Sequence, residues 1–405
     1  VARRHVEIMA RAAREHASQR RTTFSAATLA KRPLDLPEMN LGHLRAMTDD
    51  TGVLQHAVFS IPRYDDGYCL DDNARALLLM ALVEDTGTED QARVRALASR
   101  YLAFVHHAFD PATRRFRNFM SYGRAWTEEI GSDDAHGRAI WALGAVVGRS
   151  QEPGRRSVGG TLFHAAAPTS AALESPRGWA FAILGIHEYL RAFQGETGVE
   201  ALQRQLSERL LALFDANQAA DWPWFEDRAT YDNARLSQAL IVAGHRASNE
   251  PMLAAGLRSL DWLVQVQRND EGHFDPIGSD GFYPRTGRRA RFDQQPLEAC
   301  AMVSACLDAW RATGSERWLR DMRSAYRWFL GANALHVSLY DPATGGCRDG
   351  LHPDRPNENQ GAESTIAFLL ALTDMSSLEA EYRLREGGSP LTALGRQGNA
   401  GEVEA

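Results

Sequence analysis

Runs that are apolar on nearly every side, each headed by a cluster of acids and amides, constrain this chain more than anything else in it. Tyr68-Cys69-Leu70-Asp71-Asp72-Asn73-Ala74-Arg75-Ala76-Leu77 leads straight into the apolar run 78–83. A helix that is hydrophobic all round is a buried helix, so two carboxylates, an amide and a guanidinium stand at the mouth of something enclosed. The heading recurs. Tyr231-Asp232-Asn233-Ala234-Arg235 repeats the Asp-Asn-Ala-Arg tetrad ahead of the run 239–243. Looser versions are Ser132-Asp133-Asp134-Ala135-His136-Gly137-Arg138, Ser175-Pro176-Arg177-Gly178, Asp293-Gln294-Gln295-Pro296-Leu297-Glu298 and Asn357-Glu358-Asn359-Gln360-Gly361-Ala362-Glu363. Self-similarity at this spacing marks a repeat architecture.

Segments of another kind lie between these runs. Val94, Leu97, Tyr101, Leu102 and Val105 recur at helical spacing with polar residues between them, as do Leu202, Leu206, Leu210 and Leu213. Leu253, Leu257, Leu260 and Leu263 repeat the pattern, and so do Trp318, Leu319, Met322, Tyr326 and Phe329. These are helices with one wet face. Residues 151–170 are expected to supply another, across several Gly and Pro, and 40–50 the first partner. Short connections make successive helices antiparallel neighbours. The solution that hides the sides of every all-apolar helix is a closed double ring, an all-α (α/α)6 toroid of six inner and six outer helices. It spans 39–376, after an N-terminal helix and linker over 1–38 and before a mobile tail over 377–405. All six headings then meet at one end, with Asp72 and Asp232 on opposite sides.

Composition narrows the function. The net charge of −7 and the lack of a basic cluster exclude a nucleic-acid surface. No apolar run is long enough to cross a membrane. Cys69, Cys300, Cys306 and Cys347 lack metal-ligand spacing and read as thiols of a reducing, cytoplasmic compartment. Phosphate-loop and zinc-protease motifs are absent, so no metal and no cofactor is expected. A funnel of Asp, Glu, Asn, Gln, Arg, Trp and Tyr matches the hydroxyls and apolar ring faces of an oligo- or polysaccharide.

Glycosidic hydrolysis uses two carboxyl groups, one of them protonated. Helix N-termini favour the charged form, whereas burial or a neighbouring acid favours the protonated one. Asp72, with Asp71 beside it, and Glu226, among Trp222, Trp224 and Phe225, are the favoured pair; Asp134, Asp232 and Glu363 compete. Tyr68, Asp71, Asn73, Arg75, Trp126, Asp133, His136, Arg138, Trp222, Trp224, Asn233, Arg235, Gln294, Gln295, Asn359 and Gln360 are the candidate sugar-binding residues. Structural roles compete at several of these positions. Asp71, Asp133 and Asp293 suit helix caps, Glu363 suits a capping box, and His136 suits a bonded core position. Arg75 and Arg235 suit ion pairs with Asp72 and Asp232 across the ring.

The headings resemble those of the six-hairpin α/α-toroid glycoside hydrolases. Asp71-Asp72-Asn73-Ala74 is similar to the adjacent-aspartate motif of the endo-α-1,6-mannanase family, which implies nucleophile and general acid/base roles for that pair. The likeness stops at Arg75, where that family has paired tryptophans. Leu54-Gln55-His56-Ala57, Gly67-Tyr68, the 71–77 heading and Asn357-Glu358-Asn359-Gln360-Gly361-Ala362-Glu363-Ser364 together resemble a domain fused behind family-four-type bacterial glycosyltransferases. That resemblance covers about 40–375 and implies a fused or partner glycosyltransferase, with 1–20 as its last helix. The expected activity is a glycoside hydrolase. The alternatives are a sugar-binding domain without catalysis and another toroid chemistry, epimerisation or a lyase reaction, which would draw on His136, Arg138 and Tyr68.

Overall fold

The computed structural model describes residues 36–87 and 91–386. In chain order its helices are α1 (Gly42–Ala46), α2 (Leu70–Thr86), α3 (Gln91–Ala108), α4 (Asp133–Arg149), α5 (Pro153–Ala166) and α6 (Pro176–Tyr189). They continue with α7 (Thr197–Asn217), α8 (Ala234–Ala247), α9 (Glu250–Val266), α10 (Pro296–Thr313), α11 (Arg317–Phe329) and α12 (Ala362–Glu386). The expected helix over 1–20 and the end of the expected tail lie outside the described residues.

The headings become helix starts because they supply acceptors to first-turn amides that have no partner within the helix. The cap of α2 is Cys69, whose Sγ accepts from the Asp72 amide at 3.4 Å. Ser132 caps α4 and Ser175 caps α6. Asp71, Asp72, Asp133 and Asp134 therefore sit inside first turns, and none is the cap of its own helix.

Helices α2, α4, α6, α8, α10 and α12 each pack on the next, and α12 packs back on α2. This is the closed inner ring of an (α/α)6 toroid. Closure buries nearly the whole circumference of α2, including Leu77, Leu78, Leu79, Met80 and Val83. Each such side chain contributes roughly 1.5–3 kcal/mol relative to exposure. Helices α3, α5, α7, α9 and α11 form the outer layer. The first outer partner is only the five-residue α1, shorter than the repeat would supply. Strand is limited, among the described residues, to two-residue antiparallel ribbons and isolated bridges.

Two local expectations are refined. Helix α5 forms in spite of its glycines because Pro153 opens it and the Glu152 carboxylate accepts from the Gly154 and Arg155 amides. Gly159 lets it settle against Val146. At the other end, α12 continues to Glu386, so 377–386 is helix and not tail. Leu378 is buried in the core there, and Glu381 pairs with Arg311 of α10.

The contact between α4 and α6 runs backbone to backbone. A Cβ at Gly137 would come within 2.5 Å of the Gly178 carbonyl oxygen, and one at Gly185 equally close to that of Ile140. A Cβ at Gly144 would collide with the Gly185 carbonyl. Gly144→Ala is therefore expected to destabilise the protein by about 1–3 kcal/mol in urea denaturation. Gly198→Ala, in the first turn of α7 with open space around it, should leave stability unchanged or higher. Equal effects at the two positions would contradict the close approach.

Candidate active site

The N-terminal ends of the inner helices and the loops that lead into them enclose a cavity of about 450 Å³. Asp71, Asp72 and Arg75 of α2 line it, with Asp134 and Arg138 of α4 and Glu363 of α12. Tyr231, Gln295, Asp293 and His352 add loop side chains.

The floor is a chain of ion pairs. Arg75 Nη1 donates to Asp72 Oδ1 at 2.9 Å and lies 2.7 Å from Asp71 Oδ2, and its Nη2 lies 2.8 Å from Glu363 Oε2. Arg138 takes Asp71 Oδ1 at 2.6 Å with Nε and Asp232 Oδ2 at 2.6 Å with Nη2. Arg75 and Arg235 thus pair along their own helices with Asp72 and Asp232, three residues back. Arg138 is the side chain that crosses the ring. Carboxylate oxygens of Asp71, Asp72 and Glu363 all lie within 4.8 Å of one another. The Arg75 guanidinium already bonds all three, so the cluster has its cation.

Burial pushes the Asp72 carboxyl up to about 6; Arg75 opposes this, while Glu363 and Asp71 add to it. Its Oδ2 accepts from the Cys69 thiol at 3.1 Å. At Asp232 burial acts in the same sense, but Arg138, Arg235 and Arg75 outweigh it and hold the carboxyl below its ordinary value. Burial, with Asp232 alongside, pushes Glu298 up to about 7. The carboxylate of Glu298 accepts from the Asp232 amide and from Asn233 Nδ2. On the α4 side, Asp134 accepts from Ser175 Oγ at 2.5 Å and from the Tyr231 hydroxyl at 2.6 Å.

The other candidates lie elsewhere. Asp232 is fully buried beneath Arg138 and does not line the cavity. Glu226 is one layer back, 2.9 Å from Arg177 Nη1, while Arg177 Nε donates to the Tyr231 carbonyl. Trp222 and Trp224 are buried in an aromatic cluster with Trp262, and Trp126 packs on Phe104 and His107. His136 is buried against Phe116, and burial, then Arg115, pushes its imidazole down to about 3. Asp133 accepts from the Glu174 and Ser175 amides and from Arg115. Asn73 holds Val53 and Asn233 holds the Thr230 carbonyl. Tyr68 donates to Asp49, and Gln294 bonds Trp328 and Asp275. Asn359 accepts from the Phe59 amide, and Gln360 bonds His43, Asp341 and Thr344. Arg235 donates to Gln238 and does not line the cavity.

Sequence reasoning missed His352, whose Nδ1 lies 2.6 Å from Asp293 Oδ1, as well as Gln55, His56, Phe119 and Asp349 on the wall. The polar, glycine-bearing stretch 348–357 was the available signal, but it has no periodicity to place it.

No family model matches the sequence, and no curated protein is similar to it. Among solved structures the fold is similar to a sugar epimerase from a ruminal bacterium, with a TM-score of 0.67 and 10% identity over 86% of this chain and 99% of that one. It is similar to cellobiose 2-epimerase from Bacillus thermoamylovorans, with a TM-score of 0.66 and 10% identity over 84% and 96%. A GH76 α-mannanase from Bacteroides thetaiotaomicron has a TM-score of 0.54 and 10% identity over 79% and 88%. At these identities the likeness is one of fold, and the fold is the six-hairpin toroid.

The raised Asp72 carboxyl has a thermodynamic signature. The folded state holds its proton up to about pH 6, whereas the unfolded chain releases it near 3.8, so stability is lost as pH rises through that window. Asp72→Asn removes the loss. Relative to wild type, the variant should be more stable at pH 7.5 than at pH 4 by on the order of 2–3 kcal/mol in urea denaturation. A difference that does not change with pH would contradict the burial argument.

Proposed function

We propose that this chain is a carbohydrate-active enzyme that hydrolyses a glycosidic bond, with Asp72 as proton donor and Glu363 as its carboxylate partner. The observation that carries this reading is the Asp72 carboxyl, pushed up to about 6 by burial at the cavity floor, with a Glu363 oxygen within 4.8 Å of one of its own. A proton donor has to keep its proton near working pH, and this one is set to do so. The spacing approaches the roughly 5 Å of retaining glycosidases. In that scheme Asp72 protonates the leaving oxygen while Glu363 attacks the anomeric carbon. Water then displaces Glu363 and gives its proton back to Asp72. Arg75 touches both carboxylates and steadies Glu363 as charge leaves it. Glu226, the partner favoured from sequence, gives way to Glu363 because it does not line the cavity. The motif resemblance extends the proposal to work beside a fused or partner glycosyltransferase.

A second reading, epimerisation of a free sugar, is favoured by His352. Asp293 engages its Nδ1 and leaves Nε2 as the nitrogen for a substrate C–H, in the arrangement of an oriented base. Deuterium from solvent would enter the sugar carbon under that reading, and His352→Asn would abolish the exchange.

A hydrolysis screen on α- and β-linked manno-, gluco- and galacto-oligosaccharides tests the first reading. Asp72→Asn and Glu363→Gln should each lower kcat by on the order of 10²–10⁴. NMR of the first product should show a retained anomer. The rate should fall as pH rises above about 6, where Asp72 loses its proton. Full activity in both variants, on a substrate that the wild type cleaves, would rule out the pair.

A further inference from the structure

An exposed apolar patch adjoins the cavity wall at Phe119. Large exposed hydrophobic residues concentrate in two short segments, Val58, Phe59, Ile61 and Tyr64 in one and Phe119 and Tyr122 in the other. The two segments meet where Tyr64 and Tyr122 stack at 4.7 Å between centroids and 11° between planes, with Tyr122 stacked in turn on Tyr68 at 6.3 Å. Tyr64 and Tyr122 remain about half exposed, at 53% and 47%. The rim continues the cavity wall, since Phe119, Gln55 and His56 line the cavity itself.

Phe59 stands in an unusual position. Val58 pairs with Ile61, so Phe59 and Ser60 form a two-residue hairpin turn, and Phe59 has φ of +53°. Glycine is the residue such a turn takes at its first position, and a bulky side chain there is strained. The backbone of Phe59 is nevertheless held at both ends. Its amide donates to Asn359 Oδ1 at 2.9 Å and its carbonyl accepts from the Gln360 amide at 2.8 Å, in the loop that leads to Glu363. The residue as a whole is 62% exposed. A residue that neither packs in the core nor suits its turn is placed for what it presents outward.

Resting on the saccharide reading of the cavity, we propose that the substrate is an oligosaccharide whose chain leaves the cavity over this rim. One sugar ring lies on the outer face of Tyr64, which Tyr122 backs, and another against Phe59. Charged pairs are interleaved with the rings, Arg63 with Asp66 at 3.3 Å and Arg124 with Asp50 at 2.8 Å. A sugar chain offers apolar faces to the rings and hydroxyls to these charges. An acyl chain would cover the charges and satisfy none of them.

The test is calorimetric titration of the Asp72→Asn protein, in which turnover is suppressed, with α-1,6-linked manno-oligosaccharides and β-1,4-linked cello-oligosaccharides of one to six units. Affinity in one series should rise about tenfold or more between two and four units. Tyr122→Ala should erase that rise and leave disaccharide affinity unchanged. Phe59→Gly should reduce it while its melting temperature stays level or increases, a combination that a merely structural Phe59 cannot give. Short sugars binding with no gain from length, or a gain that survives both variants, overturns the rim proposal and leaves the cavity reading standing. Octyl mannoside binding more tightly than the tetrasaccharide assigns the rim to an apolar aglycone and also overturns it. No binding in either series, from one unit to six, removes the saccharide reading itself.

Discussion

The inner helices bring their N-termini to one end of the ring, where four of them, α2, α4, α10 and α12, line the cavity, and the chemistry of this molecule follows from that. Each terminus brings unpaired amides and a partial positive charge, which acids in the headings answer. Acids gathered in a poorly solvated funnel repel one another, so the headings also need cations. The Asp-Asn-Ala-Arg tetrad meets both needs within a single helical turn. Its two copies nevertheless end in opposite states. Asp232 is buried and surrounded by Arg138, Arg235 and Arg75, and these hold its carboxyl below the ordinary value. Asp72 has Arg75 as its partner, shared with Asp71 and Glu363, and its carboxyl rises to about 6. One motif thus yields a charged strut and a protonatable group, and the neighbours decide which.

That difference also explains how far the sequence could be read. The ring was legible because an inner helix has no wet face to show and an outer helix has one, and helical periodicity reports this directly. The convergence of Asp71, Asp72, Asp134 and Glu363 on one cavity follows from ring closure alone. The role of each polar residue within a heading was not legible. Asn73 and Asn233 look like ligand-binding amides but serve to fasten loops. Arg138, in the weaker α4 heading, turns out to tie Asp71 to Asp232.

The loops misled for a related reason. Trp222, Trp224 and Phe225 lie close together in a segment without regular periodicity, which from sequence suggests an exposed platform. In the fold that segment turns inward between α7 and α9, and the Trp222 indole donates to the Glu226 carbonyl. Glu226 follows the segment to Arg177 and away from the cavity. The residues that do form the rim, Phe59, Tyr64 and Tyr122, are scattered among turns, and only tertiary packing brings them together. His352 and Asp293 are likewise 59 positions apart and meet across two loops.

The two ends of the ring are built to different ends. Where the inner helices finish, ion pairs tie one inner helix to the next: Arg149 with Glu188 at 2.5 Å and with Asp85 at 3.0 Å, Arg311 with Glu381 at 2.5 Å. Where they start, local rules are broken. Asp232 adopts φ of +49°, held there by a bond from its amide to Glu298, itself a buried carboxyl pushed up to about 7. Phe59 occupies a glycine position. Departures of this kind each cost about 1–3 kcal/mol and persist only where the surroundings over-determine them. The over-determination here comes from the ring: α10 supplies Glu298 to α8, and the loop before α12 fixes Phe59. Closing the toroid therefore does more than bury apolar faces. Asp232 and Phe59 are each held by an element from another repeat, so their places in the polar site and its rim depend on the ring being shut.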